Sequence, residues 1–217
     1  MQFQTLKPAE ASDSDDIDST YNKELVIISK NAGIGGSSIL IGNVISYLAT
    51  ILATRVVGAE LFGVFYLANT ILLITVLIST LGLNQGVLRY VSFYQGKKDL
   101  ARIKGTILFG LKSTLIFSVL IALLVFVISP ILANHFFHKP DLKVALQILI
   151  LALPFATASE VLLSSLQGLR LIAQNALVRN IFQPILRIIF LVIFFALGLK
   201  LLGLLYATAL SFLLGCV

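Results

Sequence analysis

The stretch TILFGLKSTLIFSVLIALLVFVIS, Thr106 to Ser129, decides the class of fold. Its apolar residues fall on every side of a helix instead of along one stripe, and Lys112 is its only charge. It exceeds the roughly 20 residues that a helix needs to cross the hydrocarbon of a bilayer. Further runs of the same kind flank it, 34–54 and 64–83 before it and 144–166, 181–199 and 201–217 after it. Strands of a membrane barrel would alternate apolar and polar residues, which these runs do not, so helices are the spanning structure available. The sequence therefore predicts an all-α polytopic membrane protein, with a lobe of six transmembrane helices over 25–217.

Composition agrees with that reading. Of the 217 residues 58% are hydrophobic and 12% charged, and the mean hydropathy is +1.00, which excludes a soluble globule. Six of the ten acids, Glu10, Asp13, Asp15, Asp16, Asp18 and Glu24, precede residue 25. With so few apolar residues among them, 1–24 is expected to be a disordered acidic tail. A signal peptide is not expected there, because no short apolar core follows a basic start. The net charge of +6 is not gathered on a soluble module with interleaved aromatics, so membrane lipids, and not nucleic acid, are the expected partners. The single cysteine, Cys216, excludes a disulfide framework within the chain, and no motif implies a cofactor.

Lys and Arg set the expected orientation. Twelve of the sixteen lie in the N-terminal segment, around the second connection or around the fourth, and Arg55, Lys139, Lys143 and Lys200 lie opposite. Positive residues mark the cytoplasmic side, so a cytoplasmic N-terminus in a multi-pass protein of the inner or plasma membrane is expected. The second connection, Asn84 to Lys104, alternates Val87, Leu88, Val91 and Phe93 with Arg89, Lys97, Lys98 and Arg102, as an amphipathic segment at the headgroups does. A second interfacial helix is expected between Gln167 and Arg179.

Few residues in the spans can carry chemistry. Ser38, Gly42, Ser46, Thr50 and Thr54 recur every four residues and form either a packing seam or, with Asn43 and Tyr47, the wall of a watery cavity. Glu160 lies inside the fourth span and is either a coupling-ion or substrate site or a carboxylate satisfied by neighbouring helices. Lys112 and Arg187 are expected a turn or two inside the cytoplasmic boundary, where they either snorkel or meet an anionic headgroup. Arg55 ends the first span. Gly82 and Gly86 read as a helix stop, and Pro154 and Pro184 as bends. His135, His138 and Asp141 lack a third strong ligand at fixed spacing, so no metal site is expected. Neither histidine is placed with a nucleophile, and an enzyme is not expected.

The stretch Arg55-Val-Val-Gly58-Ala-Glu60-Leu-Phe62-Gly63-Val-Phe65 resembles the signature of the polysaccharide biosynthesis (Wzx-like flippase) family of the MATE-like exporter superfamily. Leu81-Gly82-Leu83 with Arg89-Tyr90, and Leu166-Gln167-Gly168 with Pro184 and Arg187, extend the likeness over nearly everything after the tail. The resemblance implies a lobe equivalent to the N-terminal half of a MATE-like transporter. It further implies alternating-access movement of polyprenyl-pyrophosphate-linked oligosaccharide, with Lys112, Arg187 and Arg55 available to the pyrophosphate and Glu160 to ion coupling. Such transporters have two lobes, so a missing C-terminal lobe or a partner chain is expected to complete the cavity. Small-molecule efflux, and a non-transporting scaffold in polysaccharide synthesis, are the alternatives.

Overall fold

One residue, Gly58, separates the first two helices. The structure, a computed structural model, describes the backbone of residues 10–215 and side chains at 33 and 35–215. Helix α1 runs Glu10–Val57 and α2 runs Ala59–Thr80, and Gly58 turns between them at φ 88°, a value that L residues with a Cβ rarely adopt. Its amide donates to the Thr54 carbonyl and its carbonyl accepts from Phe62, both at 3.0 Å, so the helical ladder is nearly unbroken across the corner. The connection that sequence spacing puts at 55–63 is thus the ends of two helices, because Ala59 to Phe62 accept helix and Gly63 opposes it by only about 1 kcal/mol.

Residues 10–24 also differ from expectation. Their backbone continues α1, so the disordered tail expected over 1–24 is corrected there, and residues 1–9, like Cys216 and Val217, lie outside the described residues. No proline interrupts the chain between Glu10 and Val57, and extending a formed helix costs far less than nucleating one.

Helix α3, Leu83–Gly96, follows a left-handed turn at Leu81 and Gly82, with φ 46° and 73°. The expected helix stop is there. Asp99 caps α4, Leu100–Ile131, by accepting from the Arg102 amide at 3.1 Å. That cap starts the helix six residues before the apolar run alone suggests. Pro130 inside α4 has no N–H to give to Phe126, and the Ser129 hydroxyl donates to that carbonyl instead, at 2.8 Å. A π-helical turn, Leu132–Phe136, prolongs the span.

The next span is broken. Helices α5, Pro140–Leu151, and α6, Leu153–Gly168, meet at 45° around Ala152, so the bend expected at Pro154 is present. After a turn at Arg170 (φ 63°), α7, Ile172–Leu177, passes through a second π-helical turn, Val178–Phe182, into α8, Gln183–Ala196. Pro184 explains the irregularity, since it offers no N–H to Asn180 and the wider register absorbs the loss. The separate interfacial helix expected over 167–179 is therefore a correction: 167–168 end α6, 169–171 turn, and 172–179 begin a continuous helix of 25 residues, Ile172–Ala196. A hairpin at Gly198 leads to α9, Leu201–Leu214.

Among the described residues four helices are long and apolar enough to cross a membrane, and the bent pair makes a fifth if it counts as one span. At 14 residues α9 is shorter than the roughly 20 that a crossing needs, so the described residues supply four or five of the expected six spans. No strand occurs among the described residues.

Packing relies on small residues and closed hydroxyls, as it must where lipid tails are as apolar as the core. Leu72, Leu142, Leu146, Leu149, Leu153, Leu191 and Leu205 form the main core. Buried Thr75, Thr157, Ser159, Thr208 and Ser211 each donate to a carbonyl one turn back, so they are satisfied within their own helices. Helix α3 wedges Val87 and Val91 against Ile103 of α4 and Val161 of α6. Gly110 and Gly168 admit that wedge: a Cβ at Gly110 would strike Val87, and one at Gly168 would lie 2.9 Å from the Val91 Cβ. The amphipathic segment is therefore built into the bundle along its apolar stripe.

Candidate functional site

The corner at Gly58 directs the first turns of α2 back along the last turns of α1, and α8 closes the space between them. The result is a cavity of about 120 Å³. Helix α1 contributes Ser46, Ala49, Thr50 and Ala53; α2 contributes Phe62, Phe65, Tyr66 and Asn69; α8 contributes Pro184, Arg187 and Leu191; and α9 contributes Leu204. Arg187 is half-buried, with its Nε shielded and without a hydrogen-bond partner among the described residues. No carboxylate pairs with it, because the ion pairs of the described residues are Asp99 with Arg102 and Glu160 with Arg179.

Depth makes that cation unusual. Arg187 lies fifteen residues after Ile172 and nine before Ala196, about 22 Å and about 13 Å along the helix. The helix that carries it begins at Ile172 instead of Ile181, so Arg187 stands nearer the middle of its helix than the apolar run alone suggests. Neither end is within easy reach of its stem. An Arg at the bilayer centre costs about 2.5 to 3.5 kcal/mol on insertion scales, and here no described acid offsets it. The hydroxyls of Ser46 and Thr50 and the amide of Asn69 make the surroundings polar enough to admit water or an anion.

The other expected residues separate. Ser38 is buried where α1 crosses the π-helical turn; it donates to the Gly35 carbonyl at 2.7 Å and accepts from Asn180 Nδ2 at 3.2 Å. Beside it, a Cβ at Gly42 would collide with the Asn180 carbonyl, the group that Pro184 leaves without its helical donor. The stripe thus divides. Its first half is a packing seam, and Ser46 and Thr50 form a cavity wall. Asn43 and Tyr47 are exposed and do not line the cavity.

Lys112 is exposed on α4, among exposed Leu108, Phe109 and Ile116, twelve residues after Leu100. Arg55 is exposed in the last turn of α1. Neither lines the cavity of Arg187, so the structure does not gather the three cations. Glu160 has a partner that spacing alone did not reveal, since Arg179 Nη2 lies 3.0 Å from its Oε1. That pair joins α6 to the π-helical turn and leaves the Arg 54% and the Glu 29% exposed. Within the signature stretch, Phe62 and Phe65 line the cavity, Gly63 is half-buried, and Glu60 is exposed at the corner. Asn69 and Tyr66 were not singled out from sequence; an amide inside an apolar run was the available signal.

Helices of this length and apolarity, packed through glycines and self-satisfied hydroxyls, define a multi-pass integral membrane protein. The chain belongs to the polysaccharide biosynthesis protein family, whose model matches residues 28–217. Neither the curated proteins nor the solved structures provide a match. The matched region contains the corner, the cavity and Arg187.

Proposed function

We propose that the protein is a flippase, a transporter and not an enzyme, that moves lipid-linked oligosaccharide or polysaccharide repeat units across the cytoplasmic membrane by alternating access. The observation that carries this reading is the unpaired Arg187, held mid-span in a cavity with hydroxyl and amide walls. A sugar and its pyrophosphate cannot cross hydrocarbon unaided, and a half-buried guanidinium with no carboxylate partner is suited to a phosphate oxygen. Family membership supports the polysaccharide pathway. In this reading α9 is the sixth crossing, the N-terminus is cytoplasmic, and a second lobe or partner chain encloses the cavity as in MATE-like transporters. Lys112 and Arg55 are secondary contacts, reached only in other conformations or from that second lobe.

The test is rescue of a flippase-deficient strain by the complete reading frame, with the leaflet position of lipid-linked sugars as readout. Wild type should clear the cytoplasmic leaflet. Arg187→Ala should slow transport by about tenfold or more with membrane abundance kept, as loss of a charge-assisted hydrogen bond worth at least about 1.5 kcal/mol requires. Arg187→Lys should recover part of it. Sugars that stay trapped with wild type present refute the flippase reading; parallel loss of abundance in Arg187→Ala assigns the residue to packing.

A further inference from the structure

A second cavity, of about 430 Å³, lies between α3 and α4 and shares no lining residue with the cavity of Arg187. Its interior is hydrocarbon, from Val87 and Phe109 among others. Gly86 on one wall and Gly105 on the other face open space, with nothing within 4 Å of where a Cβ would stand. At its rim Arg102 stacks over the Tyr94 ring at 5.7 Å and uses its Nε on Asp99 at 3.2 Å. Its Nη groups make no hydrogen bond among the described residues and remain available. The segment 83–106 around this rim holds five bases, Arg89, Lys97, Lys98, Arg102 and Lys104, against one acid, Asp99.

We infer that this cleft binds one anionic phospholipid, an acyl chain between α3 and α4 and the phosphate at Arg102. Three observations fit that occupant. The volume falls within the roughly 300 to 1,000 Å³ of cavities that hold small molecules. The walls suit a chain and not a headgroup. The excess of bases suits a negative headgroup, and each base near a membrane surface adds about 1 kcal/mol of attraction to anionic lipid. The prenyl chain of a transported substrate is the poorer fit, since the cleft shares no residue with the cavity that would take its pyrophosphate. Bound there, the lipid would fill the space between α3 and α4 beyond the contact of Val87 with Gly110 and stiffen the first half of α4.

Native mass spectrometry of the full chain in mild detergent, titrated with equal phosphatidylglycerol and phosphatidylcholine, tests this without any transport assay, so its failure and that of the flippase reading are distinct. Wild type should retain one phosphatidylglycerol in preference to phosphatidylcholine. Gly105→Leu, which fills the cleft and favours helix, should cut that retention about tenfold. Arg102→Gln should keep a lipid and lose the preference for the anionic one. Circular dichroism checks that the variants fold, and Gly86→Leu, on the facing wall, repeats the test should Gly105→Leu not fold. Unchanged retention in a folded cleft-filled variant, equal retention of both lipids by wild type, or preferential retention of added polyprenyl phosphate would each overturn the inference.

Discussion

At Gly42 a methyl group would meet the carbonyl of Asn180, and no rotamer change can relieve a contact with backbone. Gly42→Val should therefore destabilise the protein by roughly 1–3 kcal/mol, the usual cost of overpacking. A lowered melting midpoint of the purified protein is the expected result, with Gly36→Val as control because open space surrounds that position. Glu160 and Arg179 make the contrasting case. Their pair is partly exposed, so screening limits it to about 1 kcal/mol or less. If it only holds α6 to the π-helical turn, Glu160→Gln and Arg179→Gln should each have small effects on stability, and the double variant should cost no more than either one. Additive losses in that cycle would show that the two do not act as a pair. Transport that responds to Glu160→Gln but not to Arg179→Gln would instead restore a coupling role to the carboxylate.

At the level of elements, Pro184 shapes the site through the helix that carries it. Restoring an N–H with Pro184→Ala should let Val178–Phe182 return to α-helical register. Removing the extra residue of the π turn rotates α7 relative to α8 by about 100°. Asn180 would then leave Ser38. Cysteines at 38 and 180, in a Cys216→Ser background, should be joined by a short crosslinker in the parent and joined much less in the Pro184→Ala variant. Equal crosslinking would show that the irregular turn does not depend on the proline.

Some of this was legible in sequence and some was not. Runs of apolar residues located the spans, and Pro154 and Gly82 marked two of their breaks, because backbone chemistry acts where those residues stand. Boundaries shifted where polar residues are helical: Asp99 caps α4 ahead of its apolar run, and Ile172 to Asn180 join α8 despite their polarity. Arg187 was legible as a cation in a span but not as an unpaired one, since pairing depends on which helices meet. The same limit hid the Arg179 partner of Glu160, nineteen positions away.

For the whole molecule, short turns and bends reverse the chain from span to span, so α3 and the turn at Arg170 share one end and the Gly58 corner, the 137–139 turn and Gly198 share the other. The excess of bases on the first end predicts that it faces the cytoplasm. In the Cys216→Ser background, a cysteine at Lys98 should react with a membrane-impermeant maleimide only after the cells are opened, and one at His138 should react in intact cells. The reverse pattern would invert the topology and place the basic segment outside.

The corner at Gly58 also bears on how the chain enters the bilayer during synthesis. With one residue between α1 and α2, the far side of this pair consists of Arg55, Glu60 and a few backbone groups, and no long polar segment has to be carried across. Two apolar rods joined so tightly cannot partition one at a time, because the second must follow as soon as the first has crossed. The pair is therefore suited to insertion as a single hairpin, and the cavity wall formed by Ser46, Thr50, Phe62 and Phe65 is half assembled before α8 has left the ribosome.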